Sequence, residues 1–136
     1  MFREQDGERQ PRFALGVAGN AWIPASAYSI IGALIDGGLS MQRAIEAPRF
    51  LVTRDPADAL GTRARVEIED RFPRPILQDL MARGHRFQKV GRKGEVRYGY
   101  ASGVAVDSVA RRVEGGADPR RSHAAVAVTE ILETTQ

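Results

Sequence analysis

"LGVAGNAWIPASAYSIIGALIDGGLSMQRAIEAPRF", residues 15–50, holds a glycine-bearing turn that feeds a nearly all-apolar helix. Upstream of the turn, "RFALGVAG" (Arg12 to Gly19) reads as a short buried strand. Pro24 suits the first turn of a helix, because it lacks an N–H that would go unpaired there anyway. In "PASAYSIIGALIDGG" the residues Ala27, Tyr28, Ile31, Leu34 and Ile35 share one face, and Ile30 with Ala33 widens it, so burial over most of the circumference is expected. Gly37 and Gly38 end this helix. Ser40 is placed to cap a second, shorter helix, "MQRAIEA", whose Met41, Ala44 and Ile45 line up on one side before Pro48 stops it.

Outward from this pair, residues 1–11 read as a flexible polar arm, and residues 12–136 as one continuous unit. "ARVEIED" (Ala64 to Asp70) alternates Val66 and Ile68 with Glu67 and Glu69, the mark of a half-exposed strand. "RPILQDLMARG" places Ile76, Leu77, Leu80 and Met81 at helical spacing, with Gly84 past its end. "HRFQKV", "YASGVAVDS", "VARRVEGG" and "HAAVAVTEIL" then read as strands, with a turn expected at Asp107-Ser108. The order of strand, two helices, strand, helix and further strands specifies a layered α+β fold.

The 136-residue chain is about one domain long. Its 20 basic and 17 acidic residues give a net charge of +3, and arginines are interleaved with carboxylates almost throughout. Nucleic-acid binding needs the charge gathered on one face, so it is not expected. The absence of cysteine excludes disulfides and thiolate chemistry. His85 and His123 are far apart and lack a ligand-like spacing, so no metal and no other cofactor is expected. The N-terminal residues carry no apolar core of a signal peptide, and no apolar run approaches the length of a membrane span, which leads to a cytoplasmic expectation with no membrane partner.

Several strings, in this order, resemble the C-terminal end of the small subunit in the gamma-glutamyltranspeptidase family. They are "DGGLSMQRAIEAPRF" (Asp36 to Phe50), "RVEIEDRFPRPILQDLMARGHRF" (Arg65 to Phe87), "ASGVAVD" (Ala101 to Asp107) and "GGADPRR" (Gly115 to Arg121). The resemblance implies part of a four-layer αββα sandwich of the N-terminal-nucleophile hydrolase type. It also implies a threonine, exposed by self-cleavage, whose hydroxyl attacks an amide carbonyl while its own α-amine serves as base. An α-amine has an ordinary pKa of about 7.7–8.0 and so can accept a proton near neutrality.

The family's nucleophile lies upstream of the matched segment, and none of Thr53, Thr62, Thr129, Thr134 and Thr135 falls at its place. The catalytic feature that can lie within the matched segment is the family's "GSPGG" loop, whose last two backbone N–H groups form an oxyanion hole. Here the equivalent is "GVAGN", so the resemblance assigns Gly19 and Asn20 as candidate backbone donors. Two N–H donors beside a helix start place partial positive charge where a tetrahedral oxyanion builds up. Asn in place of Gly keeps a backbone donor and is among the residues least penalised at positive φ. Trp22 and Tyr28, flanking the turn, are weaker candidates for substrate contact, against ordinary packing. Arg49, Asp118 and Arg120 read as structural ion-pair residues.

These readings lead to two expectations. In the first, the chain is a subunit or fragment of a gamma-glutamyltranspeptidase-like amidohydrolase or transferase, inactive alone. It cleaves a gamma-glutamyl or other small amide within a hetero-oligomer, in which a second chain carries the catalytic threonine. In the alternative, it is a non-catalytic structural or interaction protein that retains the scaffold.

Overall fold

The computed structural model describes residues 1–5, 7–90, 99–107, 111–121 and 124–125. Its centre is a three-stranded antiparallel sheet, β3 (Phe13–Ala18), β7 (Tyr100–Asp107) and β8 (Arg112–Ala117), in the order β3-β7-β8. Phe13 pairs with Ala105 and Ala18 with Tyr100, while Ser102 pairs with Ala117 and Asp107 with Arg112. One face of this sheet carries two helices, α1 (Trp22–Ile35) and α2 (Met41–Glu46). Between sheet and helices lies the core of Phe13, Ile30, Leu34, Met41, Ala44, Ile45 and Ala101. Burying a large aliphatic or aromatic side chain of this kind contributes about 1.5–3 kcal/mol.

The α2 helix sits close to the sheet because two strand residues there have no side chain. A Cβ at Gly103 would come within 2.7 Å of the Met41 sulfur, and one at Gly116 within 2.7 Å of Met41 Cγ and 2.9 Å of Ile45 Cδ1. Ser40 caps α2 as expected: its hydroxyl accepts the Arg43 N–H at 3.4 Å, and Met41, Ala44 and Ile45 are the buried residues.

A second sheet, β4 (Phe50–Arg54), β5 (Ala64–Glu69) and β6 (Phe87–Val90), runs antiparallel between β4 and β5 and parallel between β5 and β6. The parallel step needs a crossover, which α3 (Arg74–Ala82) supplies.

Three expectations change. The helix at the turn starts at Trp22, two residues before Pro24, and its buried stripe is Trp22, Ser26, Ile30 and Leu34. Tyr28 and Ile35, expected on the buried face, are exposed, because only one side of α1 meets the sheet within this chain. On α3, Leu77 is buried while Ile76 and Met81 are open. Residues 1–11 are not a featureless arm: β1 (Phe2–Gln5) and β2 (Glu8–Pro11) pair from Phe2↔Pro11 to Gln5↔Glu8, around Gly7 at φ 78°. The Arg12 and Phe13 N–H groups donate to the Met1 carbonyl, tying this hairpin to β3. The strand expected in "HAAVAVTEIL" and the loop before Gly99 lie largely outside the described residues, as does Ser108 of the expected turn.

Candidate active site

The turn expected after β3 is formed by Gly19 at φ 135° and Asn20 at φ 51°. Both lie at positive φ, which glycine adopts freely and asparagine with little penalty. A side chain at Gly19 is excluded twice over, by φ and by space, because its Cβ would overlap Gly99 Cα. Gly99, itself at φ 66°, would in turn drive a Cβ into the Ala18 carbonyl oxygen. The strand-to-helix turn and the entry to β7 therefore touch backbone to backbone.

The carbonyl groups of the turn are used inwards. Gly19 O accepts the Trp22 N–H and Asn20 O accepts the Ile23 N–H, each at 3.0 Å, so the turn satisfies the first orphan donors of α1. In a trans peptide the C=O and the next N–H are antiparallel, so the Asn20 N–H points away from the helix start. The Gly19 N–H, by the same rule, points away from the Ala18 carbonyl that lies against Gly99. The arrangement can present backbone donors outwards, beside the N-terminus of a 14-residue helix with no acidic residue in its first turn.

A buried charge network anchors this region from below. Arg49 Nη2 donates to Asp118 Oδ2 at 2.6 Å and to the Ile45 carbonyl at 3.1 Å, and both ion-pair side chains are fully buried. Asp118 Oδ2 also accepts the Ala101 N–H at 2.9 Å, two residues beyond Gly99. Arg120 bonds Glu69 through two nitrogens, at 2.5 and 2.7 Å, bonds Asp118 Oδ1 at 3.0 Å, and donates to the carbonyls of Ile45 and Ala47. Arg71 adds a bond to Glu69 at 2.9 Å. The network joins the end of α2, the start of β4, the end of β5 and the corner after β8.

Burial pushes the Asp118 carboxyl up, but the charges of Arg49 and Arg120 and the bonds made by Arg120 carry it net below the usual carboxylate range. Glu69 behaves alike: burial raises it, while hydrogen bonding and charge from Arg120 bring it down overall. Burial also works against the cation of Arg120, yet Glu69 and Asp118 leave its pKa raised. Arg49 is lowered, by burial first and then by Arg120. The expected Asp118–Arg120 pairing is present, and Arg49 has Asp118 as its partner.

Trp22, the first residue of α1, is 6% exposed and adjoins the turn. Tyr28 stands about 9 Å further along the helix axis, 72% exposed, with its ring edge-on to Phe50 at 6.3 Å. Gly19, Asn20 and Trp22 are thus brought together, and Tyr28 is not. Thr62 lies in the loop between β4 and β5, where its hydroxyl donates to Asp58 at 3.0 Å. His85 follows α3, its ring 6.2 Å from Phe87. Among the described residues no cluster could hold a metal ion, and no helix is long and apolar enough to cross a membrane. Sequence reasoning missed Gly99 as the partner of the turn; its signal was a lone glycine opening a small-residue strand.

The sheet face turned away from α1 and α2 is built from small residues. Ala14, Gly16, Ser102, Gly115 and Ala117 border a shallow hollow of about 610 Å³, and Val104 and Val113 on β7 and β8 are 44% and 67% exposed. Among the described residues one helix layer covers one face of this sheet, and on the other face Ala124 and Ala125 border the hollow, Ala125 lying against Gly115.

The family model for gamma-glutamyltranspeptidase matches residues 2–128. The glutathione hydrolase-like YwrD proenzyme of Bacillus subtilis is 30% identical over 119 residues, covering 88% of this chain and 22% of that protein. The chain thus spans about a fifth of the length of this curated relative. Among solved structures, cephalosporin acylase from Bacillus halodurans superposes with a TM-score of 0.65 at 31% identity, over 82% of this chain and 19% of that one. Gamma-glutamyltranspeptidase from Pseudomonas nitroreducens superposes with a TM-score of 0.67 at 19% identity, over 95% of this chain and 61% of that one. The second likeness is one of fold, and the fold is the α+β arrangement of the N-terminal-nucleophile hydrolases.

Proposed function

We propose that this chain, which belongs to the gamma-glutamyltranspeptidase family, supplies the oxyanion-binding turn and one helix-covered sheet of an amidohydrolase or acyltransferase. In this reading a second chain carries the N-terminal threonine. Its hydroxyl attacks the carbonyl carbon of a gamma-glutamyl or other small amide, and its α-amine takes the hydroxyl proton. The tetrahedral oxyanion is met by the Gly19 and Asn20 N–H groups, each such donor being worth about 3 kcal/mol in the transition state. Collapse expels the amine, which takes the proton from the α-ammonium group, and water or another amine releases the acyl group. Trp22 forms the wall beside the turn.

The observation that carries the reading is the Gly19–Asn20 pair itself. Both residues are at positive φ, their carbonyls are committed to α1, and Gly99 fixes their position. The exposure of Val104 and Val113 among the described residues supports the partner chain, since a sandwich places a second sheet on that face. The description of the Bacillus subtilis relative as a proenzyme also favours a processed, multi-chain assembly.

The test is to purify the tagged chain from its native host, identify stoichiometric partners by intact mass, and assay the assembly with a gamma-glutamyl anilide. A partner beginning with threonine, together with release of the aniline, is expected. Recovery of the chain alone, with no release, favours the non-catalytic scaffold instead.

A further inference from the structure

None of the 14 residues of α1 is charged, and a helix apolar round its whole circumference belongs where it is covered on more than one side. Only one side of α1 meets the sheet; on the other, Tyr28 and Ile35 are exposed. That other side is one wall of a groove of about 480 Å³, whose opposite wall holds Phe50, at the start of β4, and Phe72, after β5. The Tyr28 ring stands edge-on to Phe50.

Tyr28, Gly32 and Asp36 follow at intervals of four residues on one stripe of this wall, about 12 Å long. Glycine is a poor helix former, and no close contact among the described residues requires it here: a Cβ at Gly32 would meet only Asp36 Oδ2, at an ordinary 3.9 Å. The bare backbone leaves room for an element from outside to approach closely. Asp36 closes α1, where the last carbonyl groups of the helix already gather negative charge, and the last turn holds no basic residue. Among the described residues no ion pair engages its carboxylate. A cation brought from outside would meet both the carboxylate and the helix end. The match to the Bacillus subtilis relative covers 22% of that protein, so most of it has no counterpart in these residues.

We infer that this groove seats an apolar segment of the second chain, with Tyr28, Ile35, Phe50 and Phe72 against its hydrocarbon and Asp36 paired with a lysine or arginine that the segment carries. The inference rests on the proposed function for the existence of a second chain, and on nothing about the Gly19–Asn20 turn.

The test uses the complex of the tagged chain with the chain that co-purifies from the native host. Gly32→Leu fills the groove, and Asp36→Lys repels the expected cation. Each should lower the affinity for the partner about tenfold or more, read as the partner retained when the complex is diluted. Thermal melts of the chain should stay at or above the parent's, since leucine favours the helix and lysine suits its C-terminus. Glu8→Lys, on the β1–β2 hairpin, should leave the affinity unchanged. Irradiating Tyr28→p-benzoylphenylalanine should attach the chain to the partner at a peptide that holds a lysine or arginine. Recovery of the chain alone, a cross-link to a second copy of this chain, an affinity that neither groove variant lowers, or a loss that Glu8→Lys matches overturns the inference. An assembly that releases aniline yet is indifferent to both groove variants leaves the proposed function standing without this interface; a partner held by the groove but lacking an N-terminal threonine does the reverse.

Discussion

Gly19 and Gly99 each occupy space that a side chain on the other would need: a Cβ on Gly19 meets Gly99 Cα, and a Cβ on Gly99 meets the carbonyl oxygen just before Gly19. The geometry of the turn is thus held by a second, sequence-distant backbone segment. Gly99→Ala should cost about 1–3 kcal/mol in stability, from strain at positive φ and forced separation of the strands. Urea denaturation of the variant against the parent measures it. An unchanged midpoint would show that the two segments do not meet this way.

If the catalytic contribution of Asn20 is its backbone N–H, its side chain is dispensable. Asn20→Gly, which keeps both the donor and the φ of 51°, should leave kcat of the proposed assembly within a few-fold of the parent. A loss on the scale of an oxyanion-hole donor, about 10²–10³-fold, would instead assign the work to the side-chain amide.

Asp118 joins the charge network to the turn, since the oxygen that takes Arg49 also takes the Ala101 N–H, two residues from Gly99. Asp118→Ala leaves the Arg49 cation buried without its carboxylate and should cost about 3–5 kcal/mol. Adding Arg49→Met removes the stranded charge and should recover part of that loss, but not all, because the Ala101 N–H stays unpaired. A double variant no more stable than Asp118→Ala would sink this account of the network.

How much of this could be read in advance differs by feature. Ser40 and Pro48 bracket α2 as local rules require, and "GVAGN" marked the turn, since caps and positive-φ positions are written in a few adjacent residues. On α1 the expected face holds at Leu34 and at Ile31, which packs against the core, and fails at Tyr28 and Ile35; which side is buried depends on the sheet, which is formed from residues 13–18 and 100–117. The β1–β2 hairpin has no apolar alternation to announce it. The pairing of Arg49 with Asp118 spans 69 residues, and no local pattern encodes it.

The same carboxylates set the acid response. Asp118 and Glu69 have pKa values lowered in the folded protein, so as pH falls the unfolded chain takes up protons before the folded chain does. Stability therefore rises with pH through that window: the contribution is complete above the ordinary carboxylate values of about 4 and is lost as pH falls through the lower folded values. Denaturation midpoints measured from pH 7 to pH 3 should drop below about pH 5, and Glu69→Gln should flatten part of the drop. A midpoint level to pH 3 would contradict it.

Val104 and Val113, on the sheet face opposite α1 and α2, are 44% and 67% exposed. Val104 pairs with Ala14 on β3 and Gly115 on β8, so a second sheet can approach closely around it. An aspartate at Val104 would bury an unpaired charge in such an interface while remaining solvated in the isolated chain. Val104→Asp should therefore leave the thermal melt of the chain within a degree or two of the parent, a surface-like effect. It should weaken association with the proposed partner chain by about 10–100-fold, the scale of a central interface residue. Quantitative co-purification at two protein concentrations distinguishes the cases: undiminished recovery of the partner would place the interface on another face of the molecule.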